Sequence, residues 1–336
     1  MRFCLVLLCL LALSFRPRLD GPRLDGPRLD RSESRTSADA GPDRPAYRLY
    51  DAKLKATTYA KLLRQAAGAD VVLFGELHNN PICHWLELQL TKDLAAQKKG
   101  NLVLGAEMFE SDNQTALSDY VQGRTTGSEL AQQARLWPNF DTDYKAIVDV
   151  ARDQKISFVA TNVPRRYASL VARSGLAALD TLPDAAKRQM APLPLIVDLT
   201  LPGYQAMLAM MSGSAHGGGS SSAAGTKQPN PHGNGNDVAG RSPAANFARA
   251  QAIKDATMAH FILQNLKPGQ TALHFNGDYH SKNFEGISWY LRKERPGLKI
   301  VTLSSVEVAD PKKPAGENRS LGDFVLAIPA DMTKTY

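Results

Sequence analysis

The stretch Val71-Val72-Leu73-Phe74-Gly75-Glu76-Leu77-His78-Asn79-Asn80-Pro81 constrains this chain more than any other. An apolar run of β-forming residues ends in a glycine. A carboxylate and an imidazole follow at once, and Asn80-Pro81 then has the chemistry of a helix cap and first helical residue. In an open α/β sheet, ligands bind just beyond the carboxyl ends of the strands. Two other apolar runs end in the same way. Leu102–Ala106 leads into Glu107, and Ala272–Asn276 leads into Gly277-Asp278-Tyr279-His280.

Around these runs the pattern alternates between strand and helix. Arg48-Leu49-Tyr50 reads as a first short strand, and Lys53–Ala67 as a helix closed by Gly68. A helix from Pro81 runs to about Lys98, with Lys98-Lys99 and Gly100 marking its end. Helical patterns cover Asn113–Val121, Ser128–Arg135 and Tyr144–Gln154, and Ile156–Ala160 is a further buried strand. The sheet resumes at Ala272–Phe275, Lys299–Leu303 and Phe324–Ile328. Such alternation predicts an α/β fold, with a mostly parallel sheet flanked by helices. Between about residues 164 and 266 helical patterns dominate, including Tyr204–Met211 and Ala244–Leu266, with one expected strand at Leu195–Leu199. This part reads as a helical insertion or cap subdomain. The Gly/Ser/Asn/Pro-rich segment 212–243 interrupts it as a flexible loop, and His216 and His232 there read as inert linker residues.

The N-terminus has the features of an export signal over residues 1–14: Arg2, an apolar run from Phe3 to Leu13, and small residues at Ala12 and Ser14. The apolar run is too short to span a bilayer. Residues 15–45 repeat Pro-Arg-Leu-Asp three times, with nearly balanced charge and too few apolar residues for a core, which predicts a disordered tether. The folded domain is expected over residues 46–334. Cys4 and Cys9 lie in the export segment, so its removal would leave Cys83 alone and no internal disulfide. Leu7-Leu8 before Cys9 lacks the small residues of a lipid-attachment site, although membrane association through the N-terminus stays open. The net charge of +7 is spread along the chain, with no basic block or recognised motif for nucleic acid.

The polar residues at the strand ends suit metal or acid–base chemistry. Glu76 and His78 converge if they lie on a loop. His84 falls one turn into the next helix, with Glu87 on the same side. Glu107, Asn162 and His280 come from separate strand ends. Imidazole and carboxylate ligands suit Zn, Mn, Fe or Co, and the same groups could supply a general base. Bland alternatives exist: His84 as a packed helix residue, Glu107 as the partner of Arg165 or Arg166, His280 as a turn residue. The chain has no Gly-rich phosphate fingerprint, no His-Glu-x-x-His and no nucleophile elbow.

Five motifs in order resemble the ChaN-like haem-binding uptake proteins of the Tiki superfamily. They are Gly75–Pro81 through His84, Leu104–Phe109, Ala160–Arg166, Ala252–Ala259 and Gly277–His280. The resemblance covers roughly Tyr47 to Pro329. It implies an exported, often lipid-anchored protein of haem and iron acquisition, periplasmic or associated with the outer membrane. It also implies an α/β core with a helical subdomain, and haem held at a homodimer interface. The wider superfamily includes metal-dependent proteases and esterases, whose Gly-x-x-His, Glu and His set maps here to Gly75/His78, Glu107 and His280, with Glu76 beside it. The poor lipid-attachment sequence and the 212–243 linker depart from the family pattern.

Two functions follow. In the leading one, the chain captures haem, with Tyr204 as the candidate axial ligand on a helix that also carries Met207, Met210 and Met211. Those side chains would otherwise be helix packing. In the alternative, a divalent ion held by His78, Glu107 and His280 activates water for hydrolysis with Glu76 as base, supported by His84, Asn162 and Arg165.

Overall fold

In a computed structural model, residues 44–211 and 242–336 are described. Residues 1–14, expected to be an export signal, nearly all of the expected tether, and His216 and His232 lie outside the described residues. Seven strands form one sheet: β1 (Arg48–Asp51), β2 (Val71–Glu76), β3 (Leu102–Glu110), β4 (Ser157–Asn162), β5 (Thr271–Gly277), β6 (Ile300–Val308) and β7 (Phe324–Pro329). Their spatial order is β1-β7-β6-β2-β5-β3-β4. Every pairing is parallel except that of β1 with β7. The helices are α1 (Tyr59–Ala67), α2 (Pro81–Lys98), α3 (Gln114–Val121), α4 (Gly127–Gln133), α5 (Lys145–Gln154), α6 (Arg165–Ser174), α7 (Asp184–Lys187), α8 (Pro202–Met211), α9 (Pro243–Asn265) and α10 (Ile287–Glu294).

The continuous apolar strands are explained by burial on both faces. Successive side chains of a strand point to opposite faces. Val72 and Phe74 of β2 therefore face Leu86, Leu90 and Leu94 of α2, in a core that also takes in α3 and α5. Val71 and Leu73 face Met258, Ala259 and Ile262 of α9 and Ile287 and Leu291 of α10. The Phe74 and Phe275 rings lie 6.4 Å apart on neighbouring central strands. β2 and β5 are the middle of the sheet, and their last residues, Glu76 and Gly277, are in register.

Helix α9 joins the helical part to the sheet. Its first half packs Ala250 and Ile253 against Tyr167 and Val171 of α6, and Ala248 and Ala252 against Tyr204 of α8. Its second half covers the sheet. The run of alanines lets neighbouring helices approach closely on several sides. Among the described residues no helix is long and apolar enough to cross a membrane.

Several boundaries differ from the sequence expectation. Helix α1 begins at Tyr59, not Lys53, because Asp51–Lys55 folds into a turn with Leu54 at φ 60° and Thr58 caps the helix. Strand β3 continues to Glu110, so Glu107 lies within it, where the register with β4 shifts between Ala106 and Glu110. Leu195–Leu199 is not a strand. Pro192 and Pro194 before it lack the N–H donors a ladder needs, and its apolar side chains pack against the helices instead. Ser242 and Pro243, expected at the end of the loop, are the cap and first residue of α9.

Leu90 is fully buried beneath the sheet. Leu90→Ala is expected to cost about 2–5 kcal/mol, read as a lower urea midpoint. Met210→Ala, at an exposed position of α8, is expected to change stability by no more than about 0.5 kcal/mol.

Candidate functional site

The carboxyl ends of β2, β3 and β5 bring Glu76, His78, Glu107 and His280 together. Two glycines make the room. A Cβ at Gly75 would sit 2.8 Å from Asp278 Oδ1 and 3.0 Å from the Leu303 carbonyl oxygen. One at Gly277 would sit 2.7 Å from His78 Nε2 and 3.5 Å from Glu107 Oε2. The absent side chain at Gly277 is thus what lets His78 approach Glu107.

A line of hydrogen bonds and charges runs inward from Glu107. Its Oε2 accepts from the Gly277 N–H at 2.8 Å, and its Oε1 lies 3.2 Å from His280 Nε2. His280 Nδ1 lies 2.6 Å from Asp255 Oδ1, and the Tyr204 hydroxyl donates to Asp255 Oδ2 at 2.7 Å. All four side chains are buried. Burial opposes charge on His280, but Glu107 and then Asp255 outweigh it and hold the imidazole up to about 10. Burial likewise opposes the Glu107 charge, yet His280 and His78 hold its carboxyl well below the usual carboxylate range. Removing either member of such a pair would leave a buried charge unpaired.

A second group surrounds Glu76. Its Oε1 accepts from His78 Nδ1 at 2.6 Å and from the Tyr144 hydroxyl at 2.7 Å. From α2, His84 Nδ1 lies 3.5 Å from Glu76 Oε2 and 3.2 Å from Glu87 Oε2. These three residues are buried, and one donor atom from each falls within 4.8 Å of the others. Burial disfavours the Glu76 charge, but His78 and His84 outweigh it and lower its pKa; burial and then the Glu76 charge push Glu87 upward. The His78 carbonyl is held by Asn139 Nδ2 and His84 Nε2, each at 3.1 Å.

Of the residues expected from sequence, Glu76, His78, His84, Glu107 and His280 share this site. Asn162 contributes indirectly, donating to the Glu107 carbonyl at 3.0 Å. Glu107 takes His280 as its partner; Arg166 instead pairs with Asp112 and hydrogen-bonds Gln189. Tyr204 is 4% exposed, behind His280 in the Asp255 line. The sequence pattern assigns no role to Asp255, Tyr144 and Trp137. Asp255 carried a signal, as the one acid in the motif Ala252–Ala259, beside Lys254. Tyr144 and Trp137 follow no period.

His78 keeps 34% of its side-chain surface exposed, and its ring packs edge-on to Trp137 at 4.9 Å. Trp137 opens onto a cleft of about 950 Å3, lined by Leu136 and Pro138, by the Arg135–Glu110 ion pair, and by Arg165, Arg166 and Arg173 of α6. A flat apolar group bearing carboxylates matches such a lining, since arginine recognises carboxylates through its planar fork of donors.

The model of the haem-binding uptake family, ChaN, of the Tiki superfamily matches residues 62–291. The chain belongs to this family. Among solved structures it resembles ChaN of Campylobacter jejuni, described with cofacial haem binding, at TM-score 0.60 and 17% identity over 84% of this chain and 97% of that one. It is more distantly similar to an erythromycin esterase in its open conformation, at TM-score 0.41 and 12% identity over 78% and 77% of the two chains. A succinoglycan biosynthesis protein gives TM-score 0.40 and 12% identity over 74% and 68%. No curated protein matches the sequence. At these identities the structural likeness to ChaN shows a shared fold, consistent with the family match.

The raised pKa of His280 makes the fold of this ChaN-family chain pH-dependent. The stabilisation is full below the unfolded value of about 6.5 and is lost as pH rises through about 10. The urea midpoint is expected to fall over that window. Asp255→Asn, which removes one of the charges that raise His280, is expected to make the fall shallower, and an unchanged slope would contradict this.

Proposed function

We propose that this chain captures haem in the cleft beside His78. The carrying observation is the lining itself, Trp137, Leu136 and Pro138 facing the arginines of α6 next to a partly exposed imidazole. Membership of the haem-binding uptake family supports the same reading. Haem is an apolar disc with carboxylates on one edge, and its iron takes an axial His, Met, Cys or Tyr. Arg165 and Arg173 would hold the propionates. His78 would meet the edge of the ring, its imidazole fixed by Glu76 through Nδ1 and its Nε2 turned toward Gly277. Tyr204 fits the role of iron ligand poorly, because its hydroxyl is buried and already given to Asp255. Bound haem would supply the iron centre. The chain's part is to orient the ring, screen one face from water and neutralise the carboxylates.

In this reading the protein is exported and hands haem onward outside the cytoplasm, in the periplasm or at the outer membrane. A second copy would cover the open face of the cleft. The Asp255–His280–Glu107 line favours hydrolysis as a second reading. It is an acid–base arrangement in which a divalent Mn, Co, Fe or Zn ion could sit among His78, Glu107 and His280, with Glu76 as base.

Haemin titration of the purified protein is expected to give a saturable Soret shift. His78→Ala should change the band position. Arg165→Ala together with Arg173→Ala should weaken binding about 10-fold or more, the loss of charge-assisted contacts. Unchanged spectra and affinities in both variants would remove the cleft from the account. Ester or peptide hydrolysis that disappears on chelation, without a Soret shift, would favour the second reading.

A further inference from the structure

We propose that Glu76, His84 and Glu87 form a divalent-cation site, separate from the haem cleft and from the His78–Glu107–His280 group. The His84 ring decides the matter. Its Nε2 faces only acceptors, the His78 carbonyl at 3.1 Å and Asp143 Oδ2 at 3.5 Å. That nitrogen therefore carries a proton. Its Nδ1 also faces only acceptors, Glu87 Oε2 at 3.2 Å and Glu76 Oε2 at 3.5 Å. Something positive must lie between Nδ1 and the two carboxylates, and it is either a proton or a metal ion.

The spacing favours the ion. A charge-assisted N–H to carboxylate hydrogen bond is about 2.7–2.9 Å long. Elsewhere in this site such bonds are short, 2.6 Å for His78 with Glu76 and 2.6 Å for His280 with Asp255. The His84 distances are longer. Ligands at about 2.0–2.2 Å from one ion in a tetrahedral shell lie about 3.3–3.6 Å apart, close to the 3.2 and 3.5 Å that separate His84 Nδ1 from the two carboxylates. The contact of His280 Nε2 with Glu107 at 3.2 Å is also long, but there both Glu107 oxygens have nitrogen neighbours.

A second observation points the same way. Glu76 Oε2 and Glu87 Oε1 are buried without any hydrogen-bond partner. Glu76 has His78 and His84 beside it, but Glu87, 0% exposed, has among the described residues only the His84 that it shares with Glu76. Among the described residues no lysine or arginine pairs with Glu76, Glu87 or Asp143. The Nε2–H bond to the His78 carbonyl is the outer contact that fixes the tautomer of a ligating histidine and frees its other nitrogen for a metal. Two carboxylate oxygens and one imidazole suit Zn, Mn, Fe or Co. The ion would neutralise the underside of Glu76, whose other oxygen holds His78.

The test is the metal content of the full chain purified from cells grown with added Co2+ or Zn2+, so that the ion is present while the protein folds. The expected result is about one ion per chain, with Co2+ giving a d–d absorption band. Glu87→Gln, of the same shape, should bring occupancy below about a tenth, and His84→Ala should do the same. His280→Gln, which keeps a hydrogen-bonding group between Glu107 and Asp255, should leave the ion in place, and circular dichroism checks that each variant is folded. Either of two results overturns the proposal. One is an ion kept by Glu87→Gln or lost by a folded His280→Gln. The other is a metal-free wild type whose Tm does not move with Co2+ or Zn2+ while Glu87→Gln folds more stably, which would make the occupant a proton shared by the carboxylates.

Discussion

Glu107 is an ionised carboxylate inside the protein, and the arrangement of the strand ends depends on keeping it so. Burial alone would protonate it. The His280 charge, in turn sustained by Asp255, offsets that burial. Asp255 sits on α9, His280 follows β5, Glu107 belongs to β3 and Tyr204 comes from α8. One polar line therefore ties the helical part to the end of the sheet. The apolar contacts of α9 hold the same elements together without specifying their rotation. The Asp255–His280 contact fixes it at one point, because a shift would leave two buried charges unpaired.

The glycines are the complement of that line. Gly277 gives up a side chain so that His78 can approach Glu107, and its N–H donates to the same carboxylate. Gly75 lets β2 pass close to Asp278 and the Leu303 carbonyl. A fold that crowds so many charged side chains at the sheet's end can do so only where backbone takes little room. The result is an imidazole, His78, with a fixed partner in Glu76 and an edge packed on Trp137, which itself lines the arginine-rich cleft.

Much of this was legible in the sequence, for physical reasons. Strands buried on both faces are continuous apolar runs, so β2, β3 and β5 stood out, and the polar residues that end them were necessarily candidates. Asn80-Pro81 marked the start of α2 correctly because capping is a local interaction. What escaped was of two kinds. Leu195–Leu199 looked like a strand because its apolar content was read without the prolines before it, and its side chains serve the helices instead. Asp255, Tyr144 and Trp137 reach the site from a long helix and an irregular loop, where position is set by packing and no spacing reports it. The pairing of Glu76 with His84 and Glu87 was half visible, as an i, i+3 pair on α2, but the return of β2 to meet it was not.

The central claim is that haem lies against His78 and Trp137 with its carboxylates toward α6. Diffraction at the iron absorption edge, from crystals of the haem-loaded protein, tests it most directly. The account predicts an anomalous iron peak in that cleft, with the propionates near Arg165 and Arg173. An iron peak elsewhere, such as beside the exposed Met210 and Met211 of α8, would contradict it.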